Sequence, residues 1–481
     1  MSLVVLLLVP LTTAGLLSRR GARTARGLHA AALVAMLGTV LSVIADVARG
    51  GAVTALDGLL RADPLSAWMV GLIAVVATLA GAEAVASRHR SEDAEAMRRF
   101  YALFHLFVFT MFLAVTTDDL GLMWVAVEGT TLASVFLVNF HRTRASLEAA
   151  YKYLLICSVG IALAFIGTVL VYFADVQQFG AEAHALRWTT LLRWAPQLPP
   201  RVVELAFVFL LVGYGTKAGL APMHTWLPDA HSEAPAPISA LMSGVLLSVG
   251  LYAVLRFKTV VDTAAGPEFA ARLLVLLGLA SLTVAAAFLW SPTNVKRMLA
   301  YSSVEHVGLV ALGLGFGGAW GVAGALLHIG NHALAKSTLF LLSGRIRDAF
   351  GTADILPVRG LVRAMPVTGR GFALALLALL GLPPFGLFVS ELMILGAGFR
   401  GGWWLASALA LVLLLIAFAG MLRALHHMAY EPGAPTTPRE TPSWAGAAPV
   451  AVGLGLLLLT GVAWPPGLAA ALARAAAVLG G

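Results

Sequence analysis

The chain has 481 residues, of which 59% are hydrophobic and only 12% are charged, and its mean hydropathy is +0.88. Soluble domains carry about 25% charged residues, so this composition excludes an ordinary soluble protein and favours a membrane protein. A net charge of +8 is compatible with nucleic-acid binding, but 20 of the 32 Lys and Arg residues lie in alternate loops between apolar segments, as the positive-inside rule describes. We therefore predict no nucleic-acid partner and expect both termini on the outer side of the membrane.

Apolar segments of about 20 residues are long enough to cross a bilayer as helices. The sequence predicts fourteen of them, and hence an all-α integral membrane protein. The predicted ranges are 2–17, 28–47, 65–87, 99–116, 118–140, 150–173, 201–224, 231–257, 270–290, 297–316, 319–343, 369–399, 402–428 and 444–471. The first has no basic residue before its apolar run and an Arg pair after it, so we interpret it as a membrane helix and not as a cleaved leader.

Two ionisable residues lie within the fifth and seventh segments. The nearest charged residue on the N-terminal side of Glu128 is Asp119, nine residues away, and Lys217 lies five residues before Pro222. Charges this deep in a membrane need a partner, and at about 6 Å with an effective dielectric near 20 their attraction is roughly 3 kcal/mol. The sequence favours a Glu128–Lys217 switch that loads and releases a proton, with a static structural ion pair as the alternative.

Further titratable residues follow along the chain. We expect His224 and His231 to flank the loop after the seventh helix, where they are candidates for proton entry from the cytoplasm or are simply solvated. Glu305 and His306 place a carboxylate next to an imidazole in the tenth segment. The alternative for this pair is that it only hydrogen-bonds neighbouring helices.

The eleventh segment contains His328, His332 and Lys336 at a spacing of four residues. Residues four apart share one helix face and rise about 6 Å per step, so the three form a titratable stripe about 12 Å long. With intervening water, such a stripe makes a proton wire; helix–helix hydrogen bonding is the alternative. Two histidines at this spacing also suit zinc, but no adjacent Glu or cysteine cluster supports a metal site, and none is predicted.

The seventh and twelfth segments share a motif that contains helix-breaking prolines. "KAGLAPMHTWLPDA" at 217–230 aligns with "LLGLPPFGLFVSEL" at 379–392, with Gly-Leu-x-Pro in register. Pro222 interrupts the first segment, and Pro383 and Pro384 interrupt the second, whose only charge after the break is Glu391. Paired broken helices point to an ion site between repeats, whereas two unrelated kinks are the simpler alternative. Glu391 is a candidate exit group near the outer end.

The chain has one cysteine, Cys157, in an apolar segment. One cysteine excludes an intrachain disulfide and leaves no cluster for iron–sulfur ligation. No glycine-rich phosphate loop follows a strand. We therefore expect that this chain itself binds no cofactor.

Four long motifs carry a family resemblance. They are "GYGTKAGLAPMHTWLPDAHSEAPAPISALMSGVLL" (213–247), "NVKRMLAYSSVEHVGLVALG" (294–313), "LLHIGNHALAKSTLFLLSG" (326–344) and "GLPPFGLFVSELMIL" (381–395). These resemble the antiporter-like membrane subunits of respiratory complex I, which have relatives in multisubunit cation/proton antiporters and membrane-bound hydrogenases. "WLPDAHSEAP" and "SSVEHVG" look nearest to component F of the hydrogenase-4 type.

The resemblance implies fourteen helices with two inverted five-helix repeats, in which helices 7 and 12 are broken. It implies N-terminal helices 1–3 at 1–98, a first repeat at 99–257, a second repeat at 258–428, and a C-terminal loop and helix 14 at 429–481. By position, Glu128 and Lys217 resemble the paired groups of helices 5 and 7. The eleventh-helix stripe resembles the central proton wire, and Glu391 the terminal group.

The activity implied by the resemblance is proton translocation, with sodium as another ion of this family, driven by redox chemistry in partner subunits. Those partners are other membrane subunits and a peripheral arm with iron–sulfur clusters and, in hydrogenases, a nickel–iron centre. The expected location is the inner membrane of a prokaryote. An alternative is a gradient-driven antiporter or uptake subunit without electron transfer, and a third is a passive scaffold.

One position departs from the family pattern. Many relatives have a lysine or histidine in helix 8 between the two half-channels, whereas this chain has Ser248 in "GVLLSVGLY". A hydroxyl can relay a proton but cannot hold a charge at neutral pH. Either water together with Glu305 and His306 completes this step, or the wire is interrupted.

Overall fold

The computed structural model describes residues 1–19, 22–86, 93–180, 186–433, 440 and 444–480. Over these ranges the secondary structure is helical apart from one hairpin, in which β1 (Val53–Ala55) pairs antiparallel with β2 (Leu60–Ala62), with Val53 opposite Ala62. The predicted all-α class is confirmed at this level.

The helices follow one another closely along the chain. They are α1 (Ser2–Arg19), α2 (Ala22–Gly50), α3 (Pro64–Ala86), α4 (Ala94–Thr116), α5 (Leu120–Val138), α6 (Arg144–Phe179), α7 (Trp188–Trp194), α8 (Pro200–Ala218), α9 (Trp226–Glu233), α10 (Ala236–Leu241), α11 (Leu247–Ala265), α12 (Glu268–Leu289), α13 (Val295–Phe316), α14 (Gly318–Phe350), α15 (Leu361–Ala364), α16 (Pro366–Leu379), α17 (Gly386–Arg400), α18 (Trp404–Tyr430), α19 (Trp444–Val462) and α20 (Pro466–Ala477). A π-helical turn (Met242–Leu246) joins α10 to α11, and a 3₁₀ turn (Ala195–Gln197) follows α7.

Within the described ranges, ten helices are long and apolar enough to cross a membrane. The pair α19 and α20 is an eleventh candidate if it is counted as one span, but it is bent by 78°. The sequence predicts one helix at 444–471, whereas the structure has two helices there with a bend between them. Pro465 and Pro466 lie at the bend, because proline cannot continue the hydrogen-bond ladder of the preceding helix.

The boundary between the seventh and eighth predicted segments also differs from the structure. The seventh segment continues beyond its break as α9, which ends at Glu233, so the eighth begins at Ala236 and not at 231. Two prolines, Pro235 at the N-cap and Pro237 at the start of α10, explain the new start, because proline suits the first turn of a helix.

The centre of the bundle consists of α10, the π turn, α11, α13 and α14. Every residue in the most apolar stretch of Ala236–Ala265 is buried, and nearly every residue of α13 is buried as well. The peripheral helices instead present apolar side chains outward, such as Leu155, Val159 and Phe173 of α6. Such a surface suits contact with lipid or with apolar faces of other membrane proteins.

Helices α6 and α8 pack with their backbones in close approach. A Cβ atom at Gly213 would lie 2.5 Å from the Ala164 backbone nitrogen and 2.6 Å from the Gly160 carbonyl oxygen. Small residues at helix crossings allow this approach in membranes. The contact fixes the position of α8 relative to α6, and both helices supply residues to the site described below.

Helix breaks occur at both predicted proline motifs. Gly219 has φ +81° between α8 and α9, and Gly381 has φ +66° between α16 and α17. Both glycines adopt the left-handed conformation that side-chain-bearing residues rarely adopt. Each break also contains a cis peptide bond, before Pro222 in the first and before Pro384 in the second.

Candidate functional site

Lys217 is completely buried in the last turn of α8. Its Nζ donates hydrogen bonds of 2.8 Å to Thr131 Oγ1 and of 2.8 Å to Tyr153 OH. The Tyr153 hydroxyl is in turn 2.8 Å from Ser134 Oγ. Two N–H donors are available on an amine whether it is charged or neutral, so these partners can hold the lysine in either protonation state.

Glu128 lies half-buried on α5 and is bridged to this lysine, not directly paired with it. Ser158 Oγ donates to Glu128 Oε1 at 2.9 Å, and Thr131 Oγ1 donates to Glu128 Oε2 at 3.2 Å. The Thr131 bonds of 2.8 Å and 3.2 Å hold Lys217 Nζ within about 6.0 Å of Glu128 Oε2. The Thr131 hydroxyl therefore connects Glu128, on the same helix α5, to Lys217 on α8.

Lys336, on α14, is also completely buried. Its Nζ donates at 2.7 Å to the Leu299 carbonyl and at 2.7 Å to Ser302 Oγ, both on α13. A carbonyl and a hydroxyl are both uncharged acceptors. The second buried amine thus has the same kind of neutral, oxygen-lined environment as the first.

Three side chains form a hydrogen-bonded chain from α13 through α14 to α17. His306 Nδ1 lies 2.9 Å from His328 Nε2, and His328 Nδ1 lies 2.9 Å from Ser390 Oγ. Ser390 Oγ donates to the Leu387 carbonyl at 2.9 Å, so it must accept from His328. For neutral rings, His328 then carries its proton on Nδ1 and accepts the Nδ1 proton of His306, so the chain of hydrogen bonds has one direction.

Glu391 completes this group at the second helix break. One ligand atom each from His306, His328 and Glu391 lies within 4.8 Å of the others. The carboxylate lies directly against the break, because a Cβ atom at Gly381 would be 2.0 Å from Glu391 Oε2. Both histidines are buried, and Glu391 is the one residue of the three that is partly exposed.

The predicted stripe on α14 is connected through α13 and not along its own helix. The His306 ring lies between two members of the stripe, with centroids 5.0 Å from His328 and 5.4 Å from His332. Ser302, one turn before His306, contacts Lys336. His332 Nε2 has no hydrogen-bond partner among the described residues. The arrangement is a ladder between two helices with a gap at His332.

Ser248 lies buried on α11, two residues after the π turn. Its neighbour within the turn, Ser243, bridges to α13, with Ser243 Oγ 2.7 Å from Ser303 Oγ. The sequence indicated Ser248, but it did not indicate the pair formed by Ser243 and Ser303. The hydroxyls lie between the helices that carry the two buried lysines.

Of the two candidate entry histidines, His224 lies in the break after α8, as predicted, whereas His231 lies within a helix, and neither is solvated. His231 is completely buried within α9, and its ring stacks on Phe340 of α14 at 5.1 Å between centroids. His224 lies in the break before α9 with 7% exposure, 6.3 Å from the Tyr301 ring. Neither ring nitrogen of His231 has a hydrogen-bond partner within the part of the chain that the structure describes.

Glu305 is buried on α13 next to His306, as the sequence predicts for a membrane acid. The same helix contains a buried amine that sequence reasoning assigned to a loop. Lys296 is completely buried, and its Nζ donates to the carbonyls of Ala234 at 2.6 Å and Ser232 at 3.3 Å. It satisfies free carbonyls at the end of α9, an interaction that no sequence spacing indicates.

A buried histidine pair in the N-terminal helices was also missed. His29 Nδ1 of α2 lies 3.0 Å from His105 Nε2 of α4, and His29 stacks on Tyr101 at 4.2 Å. Gly81 of α3 leaves room for the ring, since a Cβ atom there would be 3.1 Å from His29 Nε2. Each histidine is isolated in an apolar run, and that isolation was the available signal.

A buried ion pair lies at the middle of α11. Arg256 donates to both carboxylate oxygens of Asp63, at 2.7 and 2.8 Å, and also to Ser66 and Tyr252. Burial alone raises the pKa of Asp63, but the charge and hydrogen bonds of Arg256 outweigh it and hold this pKa below its usual range. The pair ties α11 to the start of α3 and shares no residue with either lysine site.

Comparisons with known proteins match this architecture. A chain of the structure titled membrane-bound sulfane sulfur reductase (MBS), an archaeal respiratory membrane complex, superposes with a TM-score of 0.88 at 24% identity, covering 99% of this chain and 97% of that one. A chain of respiratory complex I from Thermus thermophilus has a TM-score of 0.85 at 23% identity, covering 100% and 99%. A chain of the Mrp complex from Dietzia sp. DQ12-45-1b has a TM-score of 0.85 at 21% identity, covering 99% and 96%. These likenesses show the fold.

Two relatives found by sequence share a higher identity with this chain than these three structures do. The chain is 41% identical over 342 residues to the "Hydrogenase-4 component F homolog" of Methylacidiphilum infernorum (isolate V4), covering 71% of this chain and 72% of the relative. It is 33% identical over 402 residues to "NADH-quinone oxidoreductase subunit N" of Desulforudis audaxviator (strain MP104C), covering 79% and 78%. The resemblance found in the sequence motifs is confirmed. Residues 117–417 match the family described as "NADH:quinone oxidoreductase/Mrp antiporter, TM", and the chain belongs to this family.

Proposed function

We propose that this chain is the proton-translocating membrane subunit of a complex I-like, redox-driven pump, of the hydrogenase-4 type. The observation that carries the proposal is a pair of fully buried lysines, Lys217 and Lys336, each inside a membrane bundle and each held only by neutral oxygen atoms. Isolated charges at such depth cost several kcal/mol and mark ion paths more often than structural contacts. The hydrogenase-4 and NADH-quinone oxidoreductase relatives support this function.

The first half of the proposed path runs from Glu128 through Thr131 to Lys217. Thr131 accepts from the lysine and donates to the carboxylate, so its hydroxyl in this orientation passes a proton from Lys217 to Glu128. Transfer in the opposite direction requires the hydroxyl to rotate and donate to a neutral lysine. Approach of the carboxylate stabilises the charged lysine, and its withdrawal favours release. His224 and His231 are the proposed entry groups: the His231 ring lies 6.4 Å from Trp226 between centroids, and Trp226 lies 4.8 Å from the ring of Tyr153, a partner of Lys217.

The second half runs from Lys336 to Glu391. Lys336 donates a hydrogen bond to Ser302. The proposed path then continues through His332, His306, His328 and Ser390 and ends at the Glu391 carboxylate at the second break. The step from Lys336 to His332 has no direct hydrogen bond among the residues described and requires water or ring rotation. Glu305, buried beside His306, supplies a further proton site at this gap.

Between the halves, neutral groups must pass the proton. Ser248, Ser243 and Ser303 are hydroxyls on α11, the π turn and α13, and none of them holds a charge at neutral pH. Proton transfer through this region therefore depends on water reaching it from the lysine sites. We propose that Ser248 acts as a relay and not as a storage site.

The finer architecture belongs to the same proposal. Fourteen spans arise if the pairs α8–α9, α10–α11, α16–α17 and α19–α20 each count as one span and the short helices α7 and α15 are not counted. Residues 99–257 and 258–428 are then inverted repeats, flanked by 1–98 and 429–481. The left-handed glycines at equivalent motif positions in the two breaks, Gly219 and Gly381, support the repeat. The excess of Lys and Arg in alternate loops supports an outer location for both termini.

The proposed partners are other membrane subunits and a peripheral redox arm, in the inner membrane of a prokaryote. Iron–sulfur clusters, and in a hydrogenase a nickel–iron centre, belong to that arm. Glu128 is half-buried among the apolar outer faces of α5 and α6. Its position supports the presence of a neighbouring membrane subunit that shields this carboxylate from lipid.

A second candidate function is a gradient-driven cation/proton antiporter or an ion-coupled uptake subunit, which the fold likeness to a chain of the Mrp complex favours. The two functions differ in their partners. Purification of the native complex through a tag on this chain should recover iron–sulfur subunits, and nickel if the partner is a hydrogenase. Recovery of membrane subunits alone would favour the antiporter.

The test of proton translocation compares wild type with Lys336→Ala in the native complex reconstituted into liposomes. Lys152→Ala is the matched control, because Lys152 is half-exposed and its partner Asp229 keeps a second ion pair with Arg297. Electron transfer and acidification are measured in one preparation. Loss of acidification alone in Lys336→Ala supports the function. Loss of assembly without selective loss of transport would instead indicate a passive scaffold.

A further inference from the structure

Three helices bring metal-ligating side chains to one point. His306 comes from α13, His328 from α14 and Glu391 from α17, and their ligand atoms lie within 4.8 Å of one another. The histidine pair considered from sequence, His328 with His332, is not the group that the structure assembles. The third ligand comes from a helix about 60 residues further along the chain.

We propose that His306, His328 and Glu391 bind a zinc ion. Two imidazoles and one carboxylate, with a fourth position left open, form a ligand set that zinc uses in proteins. Calcium and magnesium prefer sites made of oxygen ligands, so the two nitrogen donors discriminate against them. Sodium and potassium lack affinity for such nitrogen donors for the same reason.

The geometry requires little rearrangement. At a Zn–N distance of about 2.0–2.1 Å, two ligands of a tetrahedral ion are about 3.3 Å apart. His306 Nδ1 and His328 Nε2 are already 2.9 Å apart, in a contact that holds one proton between them. Zinc takes the place of this proton, while the His306 proton moves to its Nε2 nitrogen and Glu391 binds as the carboxylate.

The surroundings also suit a metal ligand. His328 Nδ1 is held by Ser390 Oγ at 2.9 Å, which fixes the ring so that Nε2 faces the cluster. Outer partners of this kind orient metal-binding histidines. His332, whose ring is 5.4 Å from His306, has an Nε2 nitrogen with no partner in the described ranges and lies close enough to approach an ion. Of the three ligands, Glu391 alone is partly exposed.

Binding is tested by titrating zinc into the full-length chain in detergent against a chromophoric chelator. The variants are His328→Gln and Glu391→Gln, and the matched control is His29→Gln, which disrupts the other buried histidine pair. We expect one tight zinc per wild-type chain and at least about 100-fold weaker binding in His328→Gln, since even outer partners contribute 10–100-fold. Glu391→Gln should weaken binding about 10-fold or more, and His29→Gln should not change it.

Melting temperatures establish that each variant is folded. If His328→Gln does not fold, Glu391→Gln decides the outcome, because it keeps both imidazoles. X-ray absorption at the zinc edge should show two nitrogen ligands at about 2.0–2.1 Å. No tight zinc in wild type, equal affinity in Glu391→Gln, or loss of binding in the control alone would overturn the site.

The consequence for transport rests on the proposed function. Because zinc occupies the nitrogens through which the second half of the path runs, it should lower the acidification per electron of the reconstituted complex. Zinc bound by the triad without any effect on acidification would leave the metal site standing and refute the path. Acidification that depends on Lys336, with no zinc bound, would refute the metal site and leave the path standing.

Discussion

Thr131→Val removes the one hydroxyl that connects Lys217 to Glu128 while preserving side-chain shape. The lysine loses an acceptor at 2.8 Å and the carboxylate loses a donor at 3.2 Å, although Glu128 keeps Ser158 and Lys217 keeps Tyr153. Leaving a buried polar group unpaired costs about 1–3 kcal/mol. If that cost falls on the proton-transfer step, the rate drops by about 5- to 150-fold.

The assay is acidification per electron by the intact complex in liposomes, with Thr130→Val as the matched control. Thr130 is equally buried on the same helix, but its hydroxyl donates only to the Val127 carbonyl of its own helix, at 2.6 Å. We expect Thr131→Val to pump at least about 5-fold more slowly than the control, with electron transfer retained. Equal pumping by the two variants would refute the relay, because the connection between acid and base would then not pass through this hydroxyl.

Three further predictions follow from contacts of the site and its frame. Asp63→Asn leaves a buried guanidinium without its counter-charge and should lower the free energy of unfolding by about 3–5 kcal/mol, measured as a lower melting temperature of the purified chain. Gly213→Ala should destabilise the chain by about 1–3 kcal/mol, because the new methyl group meets backbone atoms of α6. Gly38→Ala is the control, since a methyl group there meets no atom within 4 Å, and the melting temperatures of the two variants are compared. Ser390→Ala removes the acceptor of a buried imidazole and should slow acidification by about 5-fold or more, whereas Ser407→Ala, which removes a buried hydroxyl with no partner among the described residues, should not.

The Asp63 prediction also has a pH dependence with a definite sign. The folded-state pKa of this carboxyl is held below its unfolded value of about 3.9, so its contribution to stability is present above that value and is lost as the pH falls through the folded pKa. The difference in melting temperature between wild type and Asp63→Asn should therefore shrink below about pH 4. A difference that stays constant to lower pH would mean that the carboxylate charge does not contribute.

Isolated charges in apolar runs are visible in a sequence, and the partners they find across helices are not. Lys217, Lys336 and the α14 histidines stand out because nothing else nearby in their segments is charged. Thr131, Ser302 and Ser390 are ordinary membrane residues by sequence, and only the packing of α5, α13 and α17 makes them partners.

The same limit applied to the fold. Helix periods and prolines predicted the two breaks, whose glycines and prolines act locally. His231 was expected beside a loop because the predicted segments leave 225–230 outside any helix, whereas the structure has a short helix there, α9, in which the His231 ring packs on Phe340. Pro465 and Pro466 were as visible as Pro383 and Pro384, and the bend between α19 and α20 was missed because the flanking run is uniformly apolar.

The π turn at Met242–Leu246 makes the tolerance of this part of the chain to deletions depend on their position. A π turn accommodates one residue more than an α-helical turn in the same ladder. Deleting one residue within the turn would therefore restore a regular helix and leave Ser248 and Arg256 on the faces they now occupy. Deleting one residue of α11 before Arg256 has no extra residue to absorb it, and it would rotate Arg256 by about 100° away from Asp63. Single-residue deletions should be tolerated in the turn and not in the helix that follows it, so the turn is the one place in α10 and α11 where the length of the chain can change without moving this ion pair.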